Sequence, residues 1–298
     1  MELPRNPVTR RWLGLAPALI TIGVFMILPM FILLVFSFME ADPYGGVDAG
    51  FTFEGYIQIL YERDFDDLLQ FDATYLNIIG RSVVLASLAT LGCLVLGLPV
   101  AYFITRQNAR TQSMLLFLIT LPFWTNLLVR TYAWILILAT DGVIEQPLKF
   151  LGVIDDSLDM MYTNGAVGIG LVYTYIPLMV LPIYASLEKL DFRLIEAAHD
   201  LYADRIMVAR QVIIPLAAPG IIAGCILVFV PSLGAFVAPD LLGGGRKLMM
   251  GSLIQTQFAS ARNWPFGSAL AICLLAIVMI TLMYQARVAA RRRAETGS

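Results

Sequence analysis

The sequence predicts an all-α membrane protein with six transmembrane helices, and three observations lead to this fold class. First, 59% of the residues are hydrophobic and only 14% are charged, whereas soluble domains carry about 25% charged residues. Second, six stretches with at most one charged residue each reach the length of about 20 residues that a helix needs to cross a bilayer. Third, the loops between these stretches alternate between basic and mainly acidic or mixed composition, which is typical of repeated crossing.

The apolar stretches place the six spans along one transmembrane domain that covers residues 1–298. The predicted spans are residues 12–39, 82–105, 112–140, 163–187, 211–239 and 264–286. The first stretch is longer than the apolar core of about 7–15 residues of a cleavable signal peptide, so we expect it to remain as an anchor. Prolines interrupt most spans, Pro122 and Pro231 among them. Such breaks suit a protein with a path through it, and they also occur in plain membrane helices.

The basic residues predict which loops face the cytoplasm, because Lys and Arg near helix ends stay on that side. They concentrate before the first span, in the second and fourth loops, and after the last span. These residues are Arg5, Arg10, Arg11, Arg106, Arg110, Lys189, Arg193, Arg205, Arg210, Arg287, Arg291, Arg292 and Arg293. We therefore expect both termini to be cytoplasmic.

The first loop, residues 40–75, is predicted to face outward. It carries many acidic residues and a single arginine, Arg63, before the second span. The third loop is also acidic and the fifth is mixed. An acidic outer loop is either a solvated face or a docking surface for a soluble partner, and the sequence leaves both interpretations open.

The fourth loop, residues 188–210, predicts a short amphipathic helix at the cytoplasmic membrane surface. Its apolar residues recur at steps of three and four, with charges opposite. They are Leu190, Leu194, Ala197, Ala198 and Leu201. On periodicity alone, such a helix is either held by a soluble partner or lies at the interface without one.

The same loop resembles the cytoplasmic motif of ABC importer permeases. Glu196-Ala197-Ala198 is followed in register by Val212, Ile214 and Pro215. The resemblance implies a coupling helix that seats in a cleft of an ATPase subunit. The implied coupling residues are Glu196, Ala197, Ala198, Leu201, Tyr202 and Pro215. Tyr202 stands where the family has Gly, and a bulky residue resists the positive φ that Gly adopts freely, so we expect an altered turn there.

The resemblance extends over nearly the whole chain to the first permease of spermidine/putrescine importers. The segments that carry it are LPFWTN at 121–126, VRTY at 129–132, LGVID at 151–155, GIIAG at 220–224, DLLGG at 240–244 and NWPFG at 263–267. It implies a type I, MetI-like permease fold in the bacterial inner membrane and a polyamine as substrate. It also implies a second homologous permease, two cytoplasmic ATPases that bind the ATP, and an external binding protein. No cofactor is expected in the chain itself.

A polyamine path needs carboxylates for charge and aromatic faces for cation–π contact. On the fifth span, Phe229, Ser232, Phe236 and Asp240 are spaced three and four apart, which predicts one helical face leading to an acid at the outer end. Asp240 is alternatively a solvated or capping loop residue, and Pro231 is placed to kink this helix.

The third span offers Trp124 and Tyr132 as weaker path candidates. A cation path avoids arginine, so we interpret Arg130 as a structural or outer-interface group paired with an acid or with carbonyls. The GIIAG segment, with small residues four apart, predicts close helix packing rather than a binding role.

The residue types argue against an enzyme. The single histidine, His199, lies in the cytoplasmic loop, and the chain has neither a His-Glu-x-x-His zinc pattern nor a Gly-x-x-x-x-Gly-Lys-Ser/Thr phosphate loop. Cys93, Cys225 and Cys273 lie in apolar segments, so we expect no disulfide and no metal. Two alternatives remain: an importer of the same class for another small organic substrate, such as an amino-acid-like compound, an opine or a phosphonate, and an ATP-independent secondary transporter.

Overall fold

The computed structural model describes residues 7–63, 69–151, 158–191 and 193–295, and these are mainly helical. The helices are α1 (Pro7–Ile22), α2 (Leu28–Phe36), α3 (Glu54–Ile57), α4 (Thr74–Thr105), α5 (Ala109–Thr120), α6 (Leu127–Leu138), α7 (Glu145–Phe150), α8 (Asn164–Leu187), α9 (Arg193–Asp200), α10 (Arg205–Val208), α11 (Ile214–Leu233), α12 (Val237–Leu242), α13 (Met250–Ala259) and α14 (Trp264–Glu295). The strands are β1 (Met39–Ala41), β2 (Val47–Phe51), β3 (Tyr61–Arg63) and β4 (Leu69–Phe71).

The helices confirm an all-α membrane fold. Among the described residues, five helical segments are long and apolar enough to cross a bilayer: Leu15–Phe36, Thr74–Thr105, Asn164–Leu187, Arg205–Leu233 and Trp264–Gln285. Two further apolar helical segments, Ala109–Trp124 and Leu127–Leu138, meet the same criteria only as a pair and are bent by 94° at a short break, which makes them either one broken span or a re-entrant loop. With α4 at 32 residues and about 1.5 Å of rise per residue, that helix is longer than the bilayer core.

In the third and fifth predicted spans, a helix ends before the predicted boundary. The third span, predicted as one segment over residues 112–140, breaks after Trp124. Pro122 lacks a backbone donor, and the Asn126 side chain accepts a hydrogen bond from the backbone N–H of Leu128 at 2.8 Å, which caps the new helix α6. The fifth span, predicted to reach residue 239, ends at Leu233.

The chain groups into two compact units: Met1–Tyr75 with Ile254–Ala276, and Leu76–Leu253 with Ile277–Ser298. The description of residues 1–298 as one transmembrane domain stays a prediction. In the first unit, β1 pairs antiparallel with β2, and β3 pairs antiparallel with β4. The first hairpin carries an aromatic cluster in which the ring of Phe38 lies 5.8 Å from Phe51 and 5.5 Å from Phe53.

The second unit is held together by the packing of α8 on α11. Two glycines of the GIIAG segment lie at this contact. A Cβ atom at Gly220 would overlap the backbone of α8 at Pro182, and one at Gly224 would lie 2.7 Å from the Met179 sulfur. Only the missing side chains allow the two helices to approach this closely, which confirms helix packing as the role of this segment.

An ion-pair cluster organises the third loop. The Lys149 ammonium lies 2.7 Å from an oxygen of Asp141 and 2.9 Å from an oxygen of Glu145. Hydrogen bonds from Lys149 and from the Asp141 backbone hold the pKa of Glu145 below its ordinary value, while hydrogen bonds to Asp141 and Glu145 raise the pKa of Lys149. Glu145 and Lys149 are therefore both charged at neutral pH.

Candidate functional site

The predicted coupling loop forms two short helices, α9 and α10, joined by a tight turn. Asp204 begins α10, and its side chain accepts a hydrogen bond from the backbone N–H of Met207 at 2.6 Å. This bond satisfies one of the free donors at a helix start. A π-helical stretch, Ala209–Ile213, then leads into α11, with Pro215 in the first turn, where a missing N–H costs least.

The loop helix α9 has the predicted apolar face, but only one edge of this face is buried. Ile195 is buried as a member of a core cluster to which α4, α8 and α11 also contribute, and the half-buried Ala198 packs against this cluster. Leu194, Ala197 and Leu201 are exposed, Leu201 to 81%. The outward stripe has the spacing of one helical face and leaves apolar groups in solvent, which is typical of a docking surface.

The turn after α9 keeps the geometry that a glycine would give. The prediction of an altered turn at Tyr202 is wrong, because this residue adopts φ of 60° and is 97% exposed. The Ala203 N–H donates to the Ala198 carbonyl at 3.0 Å, the bond of a Schellman motif. Tyr202 therefore occupies the left-handed position at a cost of about 1–2 kcal/mol.

We expect Tyr202→Gly to stabilise this turn modestly. Glycine relieves the left-handed strain but adds about 0.5–1 kcal/mol of backbone entropy cost, so the net gain stays below about 1 kcal/mol. Hydrogen exchange of the Ala203 amide should slow several-fold, and Tyr202→Val should speed it. Unchanged exchange in both variants would show that the turn is not strained.

Glu196 lies beside a cavity of about 680 Å³ at the end of α4. Arg106 and Arg205 also line this cavity, and the Arg106 guanidinium lies 5.7 Å from the centre of the Tyr102 ring. Glu196 is exposed in the first turn of α9, so its carboxylate is available both to these cations and to a partner protein.

The candidate path residues of the fifth span do not share one continuous helix, which corrects the predicted helical face. Phe229 and Ser232 are buried in α11, where the Ser232 hydroxyl donates to the Val228 carbonyl at 2.7 Å. Phe236, 45% exposed, and the exposed Asp240 belong to the separate helix α12 and its N-terminal cap. Only this second pair keeps side chains open to a passing ligand.

Tyr175 was not among the predicted path residues, but it lies beside two groups of the fifth span. Its hydroxyl donates to the Pro231 carbonyl at 3.3 Å, an acceptor that lies within the last turn of α11. Tyr175 also lines a cavity of about 110 Å³ together with Phe236. The last four carbonyls of a helix have no helical donors, so a carbonyl in the last turn of α11 can accept a hydrogen bond from a nearby hydroxyl.

The third-span candidates face away from the described core. Trp124 is 83% exposed and Tyr132 is also exposed, so both are open to lipid or to another chain. Arg130 does not show the predicted pairing with an acid or a carbonyl: its Nε and Nη1 atoms are buried and have no hydrogen-bond partner in the part of the chain that the structure describes. Its guanidinium lies 5.9 Å from the centre of the Phe123 ring instead.

Comparisons with known proteins agree with this architecture. The chain is similar to the spermidine/putrescine transport system permease protein PotB of Escherichia coli (strain K12), with 41% identity over 87% of this chain and 90% of that protein. It is 37% identical to PotB of Haemophilus influenzae over 91% of this chain and 92% of that protein. A crystal structure of a bacterial alginate ABC transporter matches with a TM-score of 0.74 over 95% of this chain and 96% of that chain, at 15% identity, which shows the fold alone.

The family assignment follows from the extent of these matches. The sequence profile described as binding-protein-dependent transport system inner membrane component matches residues 93–294. The relatives are named as transport permeases and not as enzymes, which confirms the predicted class. This chain therefore belongs to the binding-protein-dependent transport system inner membrane components, as a permease subunit of an ABC importer.

Proposed function

We propose that this chain is a permease subunit of an ATP-driven importer that carries polyamines such as spermidine or putrescine into the cytoplasm by alternating access. The assignment of polyamines as the substrate is based on the 41% identity over 87% of the chain to a permease named for these compounds. ATP binds to partner subunits and not to this chain. The complete importer contains a second homologous permease, two ATPases and an external binding protein.

The outward face of the loop supports the ATPase contact. Leu194, Ala197 and Leu201 form an exposed apolar stripe beside Glu196, and a hydrogen-bonded turn follows this stripe. An apolar stripe with an acid at its edge offers a partner both burial and a charged contact. This surface is where we place the coupling of ATP hydrolysis to transport.

Uptake by the reconstituted importer tests this function. Proteoliposomes that contain the complete complex, with the binding protein on the outer side and ATP on the ATPase side, should accumulate labelled spermidine. A non-hydrolysable ATP analogue should stop accumulation. ATP-independent uptake would indicate a secondary transporter, and competition by an amino-acid-like compound, an opine or a phosphonate, but not by polyamines, would assign another substrate.

The orientation is tested by cysteine labelling. We propose that both termini and the coupling loop are cytoplasmic and that residues 40–75 face outward. Asp48 is exposed on β2, so Asp48→Cys should react with a membrane-impermeant maleimide in intact cells. Lys189→Cys, exposed just after α8, should react only after permeabilisation. The reverse pattern would overturn the orientation and the placement of the coupling loop.

Asp240 is the acid we place in the substrate path, with Phe236 as an aromatic contact beside it. Losing a charge-assisted contact costs about 1.5–3 kcal/mol, or about tenfold or more in apparent affinity, whereas losing one aromatic face costs less. Asp240→Asn should therefore impair uptake at limiting polyamine more than Phe236→Leu, with basal ATP hydrolysis preserved. Wild-type uptake by Asp240→Asn would remove Asp240 from the path.

A further inference from the structure

The first unit contains a cavity that none of the assigned roles uses. It has a volume of about 610 Å³ and lies where α4 and α14 begin, so it is on the predicted outer side. Its lining includes Glu54, Gln58, Tyr61, Asp72, Tyr75 and Phe266. No lysine or arginine is among the lining residues whose side chains the structure describes. The volume is within the range of about 300–1,000 Å³ that is typical of small-molecule sites.

Asp72 gives this pocket a fixed negative charge. Its Oδ1 atom accepts hydrogen bonds from the backbone N–H of Thr74 at 2.8 Å and from the Thr74 hydroxyl at 2.7 Å. These bonds hold the pKa of Asp72 below its ordinary value, so the carboxylate is ionised at neutral pH. Among the described residues, both bonds fall on Oδ1, which leaves Oδ2 available to a ligand.

Aromatic rings and a second acidic residue, Glu54, complete the lining. The rings of Tyr75 and Phe266 pack edge to face with centres 5.0 Å apart, and Tyr61 packs in the same way against Phe71 at 6.0 Å. These contacts hold the rings in defined positions around the cavity. Carboxylates together with aromatic faces are the groups that bind alkylammonium ions.

We propose that this pocket binds an ammonium end of an aliphatic polyamine on the predicted outer side of the membrane. The proposal rests on the proposed polyamine function and adds a binding site that is built entirely from residues of the first unit. Asp72 supplies the charge contact, and Tyr61 supplies a ring face for the adjoining methylene and ammonium groups. A concave, acid-lined site of this kind raises the local concentration of the cation at the outer surface.

Equilibrium binding to the assembled importer without its binding protein tests the site. Labelled spermidine should bind saturably to the permease–ATPase complex in nanodiscs, and Asp72→Asn should weaken this binding about tenfold. An asparagine oxygen still accepts the hydrogen bonds from Thr74, so the fold at this helix start is kept. Asp48→Asn removes an exposed acid outside the pocket and should leave binding unchanged.

A second pair of variants tests the aromatic contact. Tyr61→Leu should weaken spermidine binding several-fold, whereas Tyr61→Phe, which keeps the ring, should retain it. Equal binding by the wild type, Asp72→Asn and Tyr61→Leu would overturn the proposal, and so would no saturable binding to the wild type. The proposal would also be overturned if Asp72→Asn weakened only the binding of the external binding protein to the importer. The pocket would then be a protein-docking surface.

Failure of the site and failure of the proposed function are distinguishable. If the complete wild-type importer accumulates spermidine but its binding is insensitive to Asp72→Asn, the pocket is wrong and the polyamine function stands. If the complete importer accumulates no polyamine, the proposed substrate is wrong, and the pocket proposal falls with it.

Discussion

Glu196→Lys is expected to reduce ATP-driven uptake at least tenfold while the chain still assembles in the membrane. Glu196 is exposed on α9 and is not part of the buried core, so its replacement leaves the packing intact. It shares its cavity with Arg106 and Arg205, and a lysine would make this group of charges entirely positive. Like charges brought together at an interface cost several kcal/mol, and about 1.4 kcal/mol already corresponds to tenfold.

The measurement is uptake and ATP hydrolysis by the same proteoliposomes. Glu196→Gln removes the charge without reversing it and should give an intermediate loss. Asp48→Lys makes the same kind of reversal on the outer hairpin and should keep coupled uptake. Full ATP-driven uptake by an assembled Glu196→Lys complex would show that this loop does not couple the two activities.

The coupling loop shows what periodicity predicts and what it leaves undetermined. The helix α9 and the exposure of Glu196 and Leu201 agree with the predicted loop helix. However, the apolar face is broad, with residues at 194, 195, 197, 198 and 201. Either edge of this face could pack against the helix bundle. Which face packs depends on the shape of the bundle beneath it, and the structure buries Ile195, a residue outside the predicted set.

The spans were predictable from apolar length, but their breaks were not. Pro99, Pro177 and Pro182 lie inside continuous helices, whereas breaks follow Pro122 and Pro231. At the two breaks, side chains satisfy backbone groups of the helix ends: the Asn126 side chain caps the next helix in one case, and the Tyr175 hydroxyl donates to the Pro231 carbonyl in the other. Neither partner is apparent from composition.

The outer loop was predicted only as an acidic segment, yet it forms two hairpins and a pocket. Gly45 and Gly46 both have positive φ, 101° and 110°, and a Gly-Gly pair between short extended segments is a turn pattern that indicates the first hairpin. The strands are too short to show a clear alternation. The pocket also depends on α14, far away in sequence, so no local pattern predicts it.

Gly220→Val is expected to prevent stable assembly of the second unit. A Cβ atom at residue 220 would overlap the Pro182 carbonyl and lie 2.9 Å from the Ile183 Cα. Backbone atoms in a packed helix cannot move aside alone, so α8 and α11 would have to separate. Overpacking of this kind costs about 1–3 kcal/mol or more, which should lower the amount of folded chain in the membrane and its melting temperature.

Three glycine-to-alanine substitutions test which contacts between α8 and α11 limit stability. A Cβ atom at Gly224 would lie 2.7 Å from the Met179 sulfur and 3.2 Å from the Met179 carbonyl oxygen. Because the thioether side chain is flexible, it can move away from this contact. Gly168→Ala meets nothing within 4 Å on α8 and serves as the control. Melting of the purified chain should therefore fall most for Gly220→Ala, less for Gly224→Ala and least for Gly168→Ala. Equal melting of all three would show that the close approach of α8 and α11 does not limit stability.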